Sequence, residues 1–226
     1  MCKNSGPHPS IFNTLYLPSL KGSALFEWKS FLGRIFLNKK PPWRGLGEDL
    51  LNIGCGSVKF ENWVNADFFV GWKPWRTYAV DWMIDLRYPL NCDNDVWDGV
   101  FREHTLEHLH PAHALALIKE IDRTLKPGGW FRVNVPNLKK YVDNYIGKTS
   151  DEKFHQWPSG CEAIHALTQN WGHLSVWDPG LLGRFLREAK FPHPKEVGFR
   201  EGTDTRLLKD NPERRWETLY MEAQKA

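Results

Sequence analysis

Asp49–Ser57 reads DLLNIGCGS. Four residues suited to a buried strand, Leu50, Leu51, Asn52 and Ile53, run straight into Gly54-Cys55-Gly56. A short apolar run ending in paired glycines predicts a parallel strand that leaves its sheet through a tight turn. Glycine suits that turn because a Cβ would hold a ligand off the backbone or forbid a positive φ. In open α/β sheets, ligands lie beyond the carboxyl ends of such strands. A single G-x-G fits an ordinary turn equally well, so the rest of the chain has to decide.

Working outward, Trp63–Asp67 reads as a second short strand ending in a carboxylate. Only Gly54 to Asn62 separate the two strands, room for one helical turn and less than an ordinary crossover. Residues 68–79 are aromatic and irregular; Val80–Ile84 gives a third strand closed by Asp85-Leu86, and Trp97–Phe101 a fourth. A helix is predicted from Pro111 to Leu125. Proline suits its first position, Leu115, Ile118, Ile121 and Leu125 form its apolar stripe, and Lys126-Pro127-Gly128-Gly129 stops it. Trp130–Val135 is then a fifth strand. Residues 138–177 hold a helix (138–146) followed by a long irregular stretch, read as a substrate-side insertion or lid. Asp178-Pro179 opens another helix with Asp as N-cap. Glu196–Arg200 and Trp216–Ala223 close the chain as an antiparallel pair. The fold class that follows is α/β: a Rossmann-like, mostly parallel sheet of about seven strands with an antiparallel last strand pair.

Composition narrows the function. At 226 residues and 41% hydrophobic content, the chain can bury a real core. Twelve tryptophans favour a site or rim lined by aromatics. Cys2, Cys55, Cys92 and Cys161 are scattered without a C-x-x-C pair, which argues against a disulfide framework or cysteine zinc site and fits a reducing, cytoplasmic setting. No stretch approaches the roughly 18 apolar residues of a membrane span, and the N-terminus lacks a signal-peptide layout. Residues 1–47 form a basic arm of net charge +6, whereas residues 48–226, the predicted catalytic domain, sum to −3. That domain is no basic nucleic-acid platform. Within the arm, residues 22–37 place Leu25, Trp28, Phe31 and Ile35 at helical spacing with Lys29 and Arg34 between them. Such a helix either lies on a membrane surface or partner, or covers one face of the core. The core-covering reading is the commoner one.

Taken in order, LNIGCG (51–56), the strand ending in Asp67, DLRYPL (85–90), WDGVF-x-x-H-x-LEHL (97–109), LKPGG (125–129) and VNVPN (133–137) resemble the class I S-adenosylmethionine-dependent methyltransferases. The likeness is to their small type 11-like branch, over residues 48–137 and more loosely 173–224. It implies S-adenosyl-L-methionine as cofactor, with its methionine end over Gly54, Cys55 and Gly56. Asp67 would take the ribose hydroxyls, since a carboxylate accepts both hydrogen bonds. Asp85 and Leu86 would flank the adenine, and Glu103 and His104 would lie beside the reactive sulfonium. Asn52 stands where the family usually has an acidic residue, which weakens any contact with the ligand's ammonium.

Residue chemistry agrees. The third glycine of G-x-G-x-x-G is missing and Asp67 follows too early for a dinucleotide fingerprint, so a pyrophosphate cofactor is disfavoured. A sulfonium suits carboxylates and aromatic faces. His104-Thr105-Leu106-Glu107-His108 spells the inverted zincin signature, but it sits between a strand and a proline-started helix instead of on a long helix. No metal is therefore expected, and Glu107 and His108 read as structural. His104 is the candidate general base, with a hydrogen-bonded junction histidine as the other reading; His155, His165 and His173 are alternatives in the long loop. Cys55 reads as a small filler. The resemblance points to a small-molecule or glycan-type acceptor, and the basic arm leaves a lipid-linked one open. The competing readings are a methyltransferase-like binding module without turnover and a nicotinamide oxidoreductase.

Overall fold

The computed structural model describes residues 20–42, 47–69, 80–148 and 151–226. Most of the irregular aromatic stretch at 68–79 lies outside them. The described elements are α1 (Leu20–Phe36), β1 (Leu50–Ile53), β2 (Val64–Asp67), β3 (Trp82–Met83), β4 (Trp97–Glu103), α2 (Pro111–Thr124), β5 (Leu125–Pro136), α3 (Leu138–Tyr145), α4 (Gly160–Gln169), α5 (Pro179–Glu188), β6 (Lys195–Val197) and β7 (Thr218–Gln224). They form one seven-stranded sheet in the order β3-β2-β1-β4-β5-β7-β6. Strands β1 to β5 are parallel; β7 runs antiparallel to both β5 and β6. The order reverses between β1 and β4, so their carboxyl ends bound the crevice where an open sheet takes its ligand.

The sheet has two unlike faces. Leu51, Ile53, Val100, Phe131, Val133 and Met221 face α2 and α5, whose Leu117, Ile118, Ile121, Leu182 and Leu186 complete the main apolar core. The opposite face carries Asn52, Asn65, Arg132 and Asn134, all buried. It is covered by the segment 198–217, with Leu207 packed on Leu50, Trp63 and Phe101.

Four expectations need correction. The third strand shrinks to Trp82–Met83, and β5 begins at Leu125, directly where α2 ends. The stretch after α3 is not irregular throughout: α4 occupies Gly160–Gln169, capped by the Ser159 hydroxyl on the Glu162 N–H. The insertion has its own small core of Tyr141, Phe154, Ala163 and Leu167. Finally, α1 does not turn its apolar stripe inward. Leu25, Trp28, Phe31 and Ile35 are 50–57% exposed, while Ser30 and Gly33, on the other side, face the body.

Candidate active site

At the end of β1 the backbone turns through two left-handed glycines, Gly54 (φ 72°) and Gly56 (φ 53°). Gly54 also permits a close approach: a Cβ there would sit 2.6 Å from the Thr105 side chain, whose hydroxyl donates to the Gly54 carbonyl at 3.2 Å. Over Gly56 the space is open, with no heavy atom within 4 Å of where its Cβ would stand. The Gly56 N–H instead donates to Asp67 Oδ2 at 2.5 Å. β1 and β2 therefore end together on a backbone cradle and a half-buried carboxylate. Cys55 between the glycines is buried, and that burial pushes its thiol up to about 12. It is no nucleophile at neutral pH.

The short β1–β2 connection holds this cradle without a helix. Asn52 donates to the Val58 carbonyl at 2.9 Å and to Asn65 Oδ1 at 3.1 Å. Asn65, its partner in the parallel register, binds Phe60 N–H, Phe60 C=O and Asp81 in turn. Asn52 thus pins the loop from below. Its amide nitrogen donates within the fold.

At the β3 end, Asp85 is buried and committed to protein partners. Burial alone would raise its pKa, but hydrogen bonds from Arg87 and the Ser30 hydroxyl hold it below the usual carboxylate range. Arg87 is shared with Glu27 of α1, Phe26 stacks on Phe68 at 4.4 Å, and a Cβ on Gly33 would meet the Phe69 ring at 2.3 Å. Leu86 is half-buried against the main core. So α1 is docked on the carboxyl ends of β2 and β3, on the residues the sequence assigns to adenine.

Past β4, Glu103 turns to the polar face, accepting from Asn134 and from the Asn211 N–H. His104 adopts φ 48°, unusual for a residue with a side chain. Its Nε2 lies 2.7 Å from the Thr218 hydroxyl, which donates onward to the Arg214 carbonyl; Arg214 reaches Nδ1 at 3.2 Å. Because the Thr218 hydroxyl donates to Arg214, it accepts from His104, which puts a proton on Nε2. Glu107 Oε1 is 3.4 Å from Nδ1. Both ring nitrogens are thus engaged and the side chain is 7% exposed. Beside it, a cleft of about 760 Å³ opens between α3 and the turns at 151–154 and 212–216. None of Gly54, Asp67 or Asp85 lines it. The 212–216 turn serves both sites: Arg215 and Trp216 line the cleft, and Arg214 holds His104.

A methyltransferase-domain family model matches residues 25–191. The chain belongs to that family. By family and fold it is a class I methyltransferase, a group that uses S-adenosyl-L-methionine. Among solved structures, it is similar to a SAM-dependent methyltransferase from Archaeoglobus fulgidus, at 17% identity over 88% of this chain and 94% of that one, TM-score 0.47. It is also similar to an S-adenosylmethionine-dependent methyltransferase from Mesorhizobium loti, at 16% identity over 79% and 91%, TM-score 0.48. No curated protein matches the chain. Assignment of the enzyme class rests on the family match and on the strand order above.

Sequence reasoning named the cradle residues, Asp67 and the insertion 138–177, but not the individual residues that line the cleft. Lys140, Phe154 and Trp216 come from three separate elements, and no local motif connects them.

Proposed function

We propose that this methyltransferase binds S-adenosyl-L-methionine across the carboxyl ends of β1 and β2 and methylates an oxygen or nitrogen of a small, glycan-type acceptor. The observation that carries the cofactor half is the open cradle over left-handed Gly56, with its N–H aimed at Asp67. The open backbone surface at Gly54–Gly56, whose N–H groups are tied to the Ala66 carbonyl and to Asp67, would take the methionine end by close approach, and Asp67 the ribose diol. Asp85 fits less directly, since an adenine amine would share it with Arg87 and Ser30. When bound, the cofactor supplies an electrophilic methyl group on a sulfonium.

The chain's own contribution is alignment and disposal of one proton. In the cleft, Phe154 and Trp216 offer apolar faces while Lys140, Asp143 and Glu213 offer donors and acceptors, a combination suited to a polyhydroxylated acceptor. Arg214 is half exposed; swinging it out frees His104 Nδ1 to take the acceptor's proton while Nε2–H stays on Thr218. Calorimetric titration with S-adenosylmethionine and S-adenosylhomocysteine tests the cofactor half. Micromolar binding that Asp67→Ala abolishes is the expected result; a folded wild type that binds neither would overturn it.

The outward apolar face of α1 favours a second reading, an acceptor presented at a lipid surface. Leu25, Phe31 and Ile35 are exposed beside the exposed Lys29. No helix among the described residues is long and apolar enough to cross a membrane. Co-sedimentation with anionic vesicles, lost in the Leu25→Ser/Phe31→Ser/Ile35→Ser variant, is the expected outcome; equal sedimentation of both would remove this reading.

A further inference from the structure

We propose that Glu107, His108 and His173 bind a divalent transition-metal cation of the zinc type beside the acceptor cleft. One ligand atom from each lies within 4.8 Å of the other two. Glu107 and His108 belong to the 3₁₀ turn Leu106–His108 that follows β4. His173 arrives from far along the chain and is fixed there. Trp171 and Gly172 reverse the backbone through left-handed φ values of 56° and 79°. Leu174 N–H and Ser175 N–H then both donate to the Glu107 carbonyl, at 2.6 and 3.1 Å, and the Ser175 hydroxyl donates to the Leu106 carbonyl. The His108 and His173 rings meet edge to face at 5.0 Å.

Two observations point to a ligand. Glu107 is 1% exposed, yet apart from the 3.4 Å approach of His104 Nδ1 to Oε1 neither carboxylate oxygen has a hydrogen-bond partner. A buried carboxylate without hydrogen bonds is costly, and a cation supplies what it lacks. His173 is also oriented as metal-binding histidines are. Its Nδ1 lies 2.6 Å from the Leu167 carbonyl, so Nδ1 carries the proton and Nε2 keeps a lone pair. Two imidazoles and one carboxylate leave a position open, the donor set of a catalytic transition-metal site and a poor match to the all-oxygen preference of magnesium or calcium. Tetrahedral bonds of about 2.1 Å need ligand atoms about 3.4 Å apart.

Arg102 sets the character of such a site. Its guanidinium is fully buried without a hydrogen-bond partner and lies within electrostatic reach of Glu107 and His108. With that guanidinium and a dication facing one carboxylate, the loaded site carries net positive charge, and its open position takes an electron-rich oxygen. On the methyl-transfer reading above, that oxygen belongs to the acceptor's hydroxyl.

Metal-free full-length protein, titrated calorimetrically with Zn²⁺, Mn²⁺ and Mg²⁺ in the absence of cofactor, is the test. The expected result is one Zn²⁺ per chain, tighter than Mn²⁺, with no Mg²⁺ heat. Affinity should fall at least about 10- to 100-fold in His173→Ala and His108→Ala and stay unchanged in His155→Ala. Co²⁺ loading should add visible absorption bands that His173→Ala lacks. No stoichiometric Zn²⁺ in the wild type, or equal affinity in both histidine variants, overturns the site. Methyl transfer that proceeds unchanged after chelation removes the acceptor role alone. Because the titration omits the cofactor, failure of the cofactor reading would show separately.

Discussion

Gly54 and Gly56 share a left-handed backbone but differ in what surrounds them, and this separates folding from binding at single-residue resolution. A Cβ at Gly56 meets nothing, so Gly56→Ala costs only the backbone penalty of about 1–2 kcal/mol. For a domain of this size that lowers Tm by roughly 2–8 °C. The same methyl group fills the cradle. Cofactor affinity should therefore fall at least tenfold while the protein stays folded, a pairing that calorimetry and thermal unfolding check together. Gly54→Ala adds a clash 2.6 Å from Thr105 to the same penalty and should lower Tm further than Gly56→Ala in parallel melts. Both glycines and Asp67 were legible in the sequence because a strand-end turn and a terminal carboxylate are local features. Asn52 and Asp85 were legible as positions but not as contacts. Whether an amide faces ligand or loop depends on Asn65 across the register, and the occupancy of Asp85 depends on Ser30, 55 residues away.

Helix α1 shows the same limit at the scale of an element. Its period predicts the helix, yet a stripe at helical spacing looks identical whether it faces core or solvent. Only the docking of Ser30 and Gly33 decides. α4 had a readable signal in Ser159-x-x-Glu162, masked by the His, Trp and Gly around it. Docking of α1 runs through two carboxylates that share Arg87, the exposed Glu27 and the buried Asp85, and burial makes Asp85 the more consequential. Hydrogen bonds from Arg87 and Ser30 hold its pKa below the usual range against the opposing effect of burial. A depressed folded-state pKa contributes stability that is full above the unfolded value of about 3.9 and is lost as pH falls through the folded value. Hydrogen exchange across 20–36 should accordingly be slow, relative to its intrinsic rate, above pH 5 and accelerate on acidification below about 4. Ser30→Ala should raise the pH at which protection is lost. Equal protection at pH 3 and pH 6 would show that Asp85 does not hold α1. Gly33→Leu, which forces a side chain into Phe69, should release α1 at every pH, and limited proteolysis within 20–36 would report it.

For the molecule as a whole, the decisive asymmetry is that one sheet face is apolar under α2 and α5 while the other buries charges beneath 198–217. The alternation Trp130-Phe131-Arg132-Val133-Asn134 in β5 reads as a strand with one wet face. In the fold that face is covered, and Asp210 is the hub of its contacts, with Glu222 holding Thr203 and Glu103 holding the Asn211 N–H beside it. Asp210 takes both Arg132 Nε and Nη2, at 2.7 and 2.6 Å, and also Asn134 and the Arg200 N–H. Arg132 extends the network to the carbonyls of Gly198 and Glu201, and Asn134 extends it to Glu103, the residue before His104. Besides the packing of Leu207, Phe199 and Trp216, the covering segment is fixed by polar contacts of high directionality. Asp210→Ala would strand a fully buried guanidinium, a loss of about 3–5 kcal/mol against a total stability of roughly 5–15 kcal/mol. Urea unfolding should show that drop. Since Asp210–Glu217 carry Arg214 onto His104 and Trp216 into the cleft, methyl transfer in the variant should fall further than its folded fraction. Cofactor affinity per folded molecule, set at β1 and β2, should hold. A variant that lost affinity and turnover equally would mean that the two halves of the crevice are one cooperative unit, with the polar face supporting both.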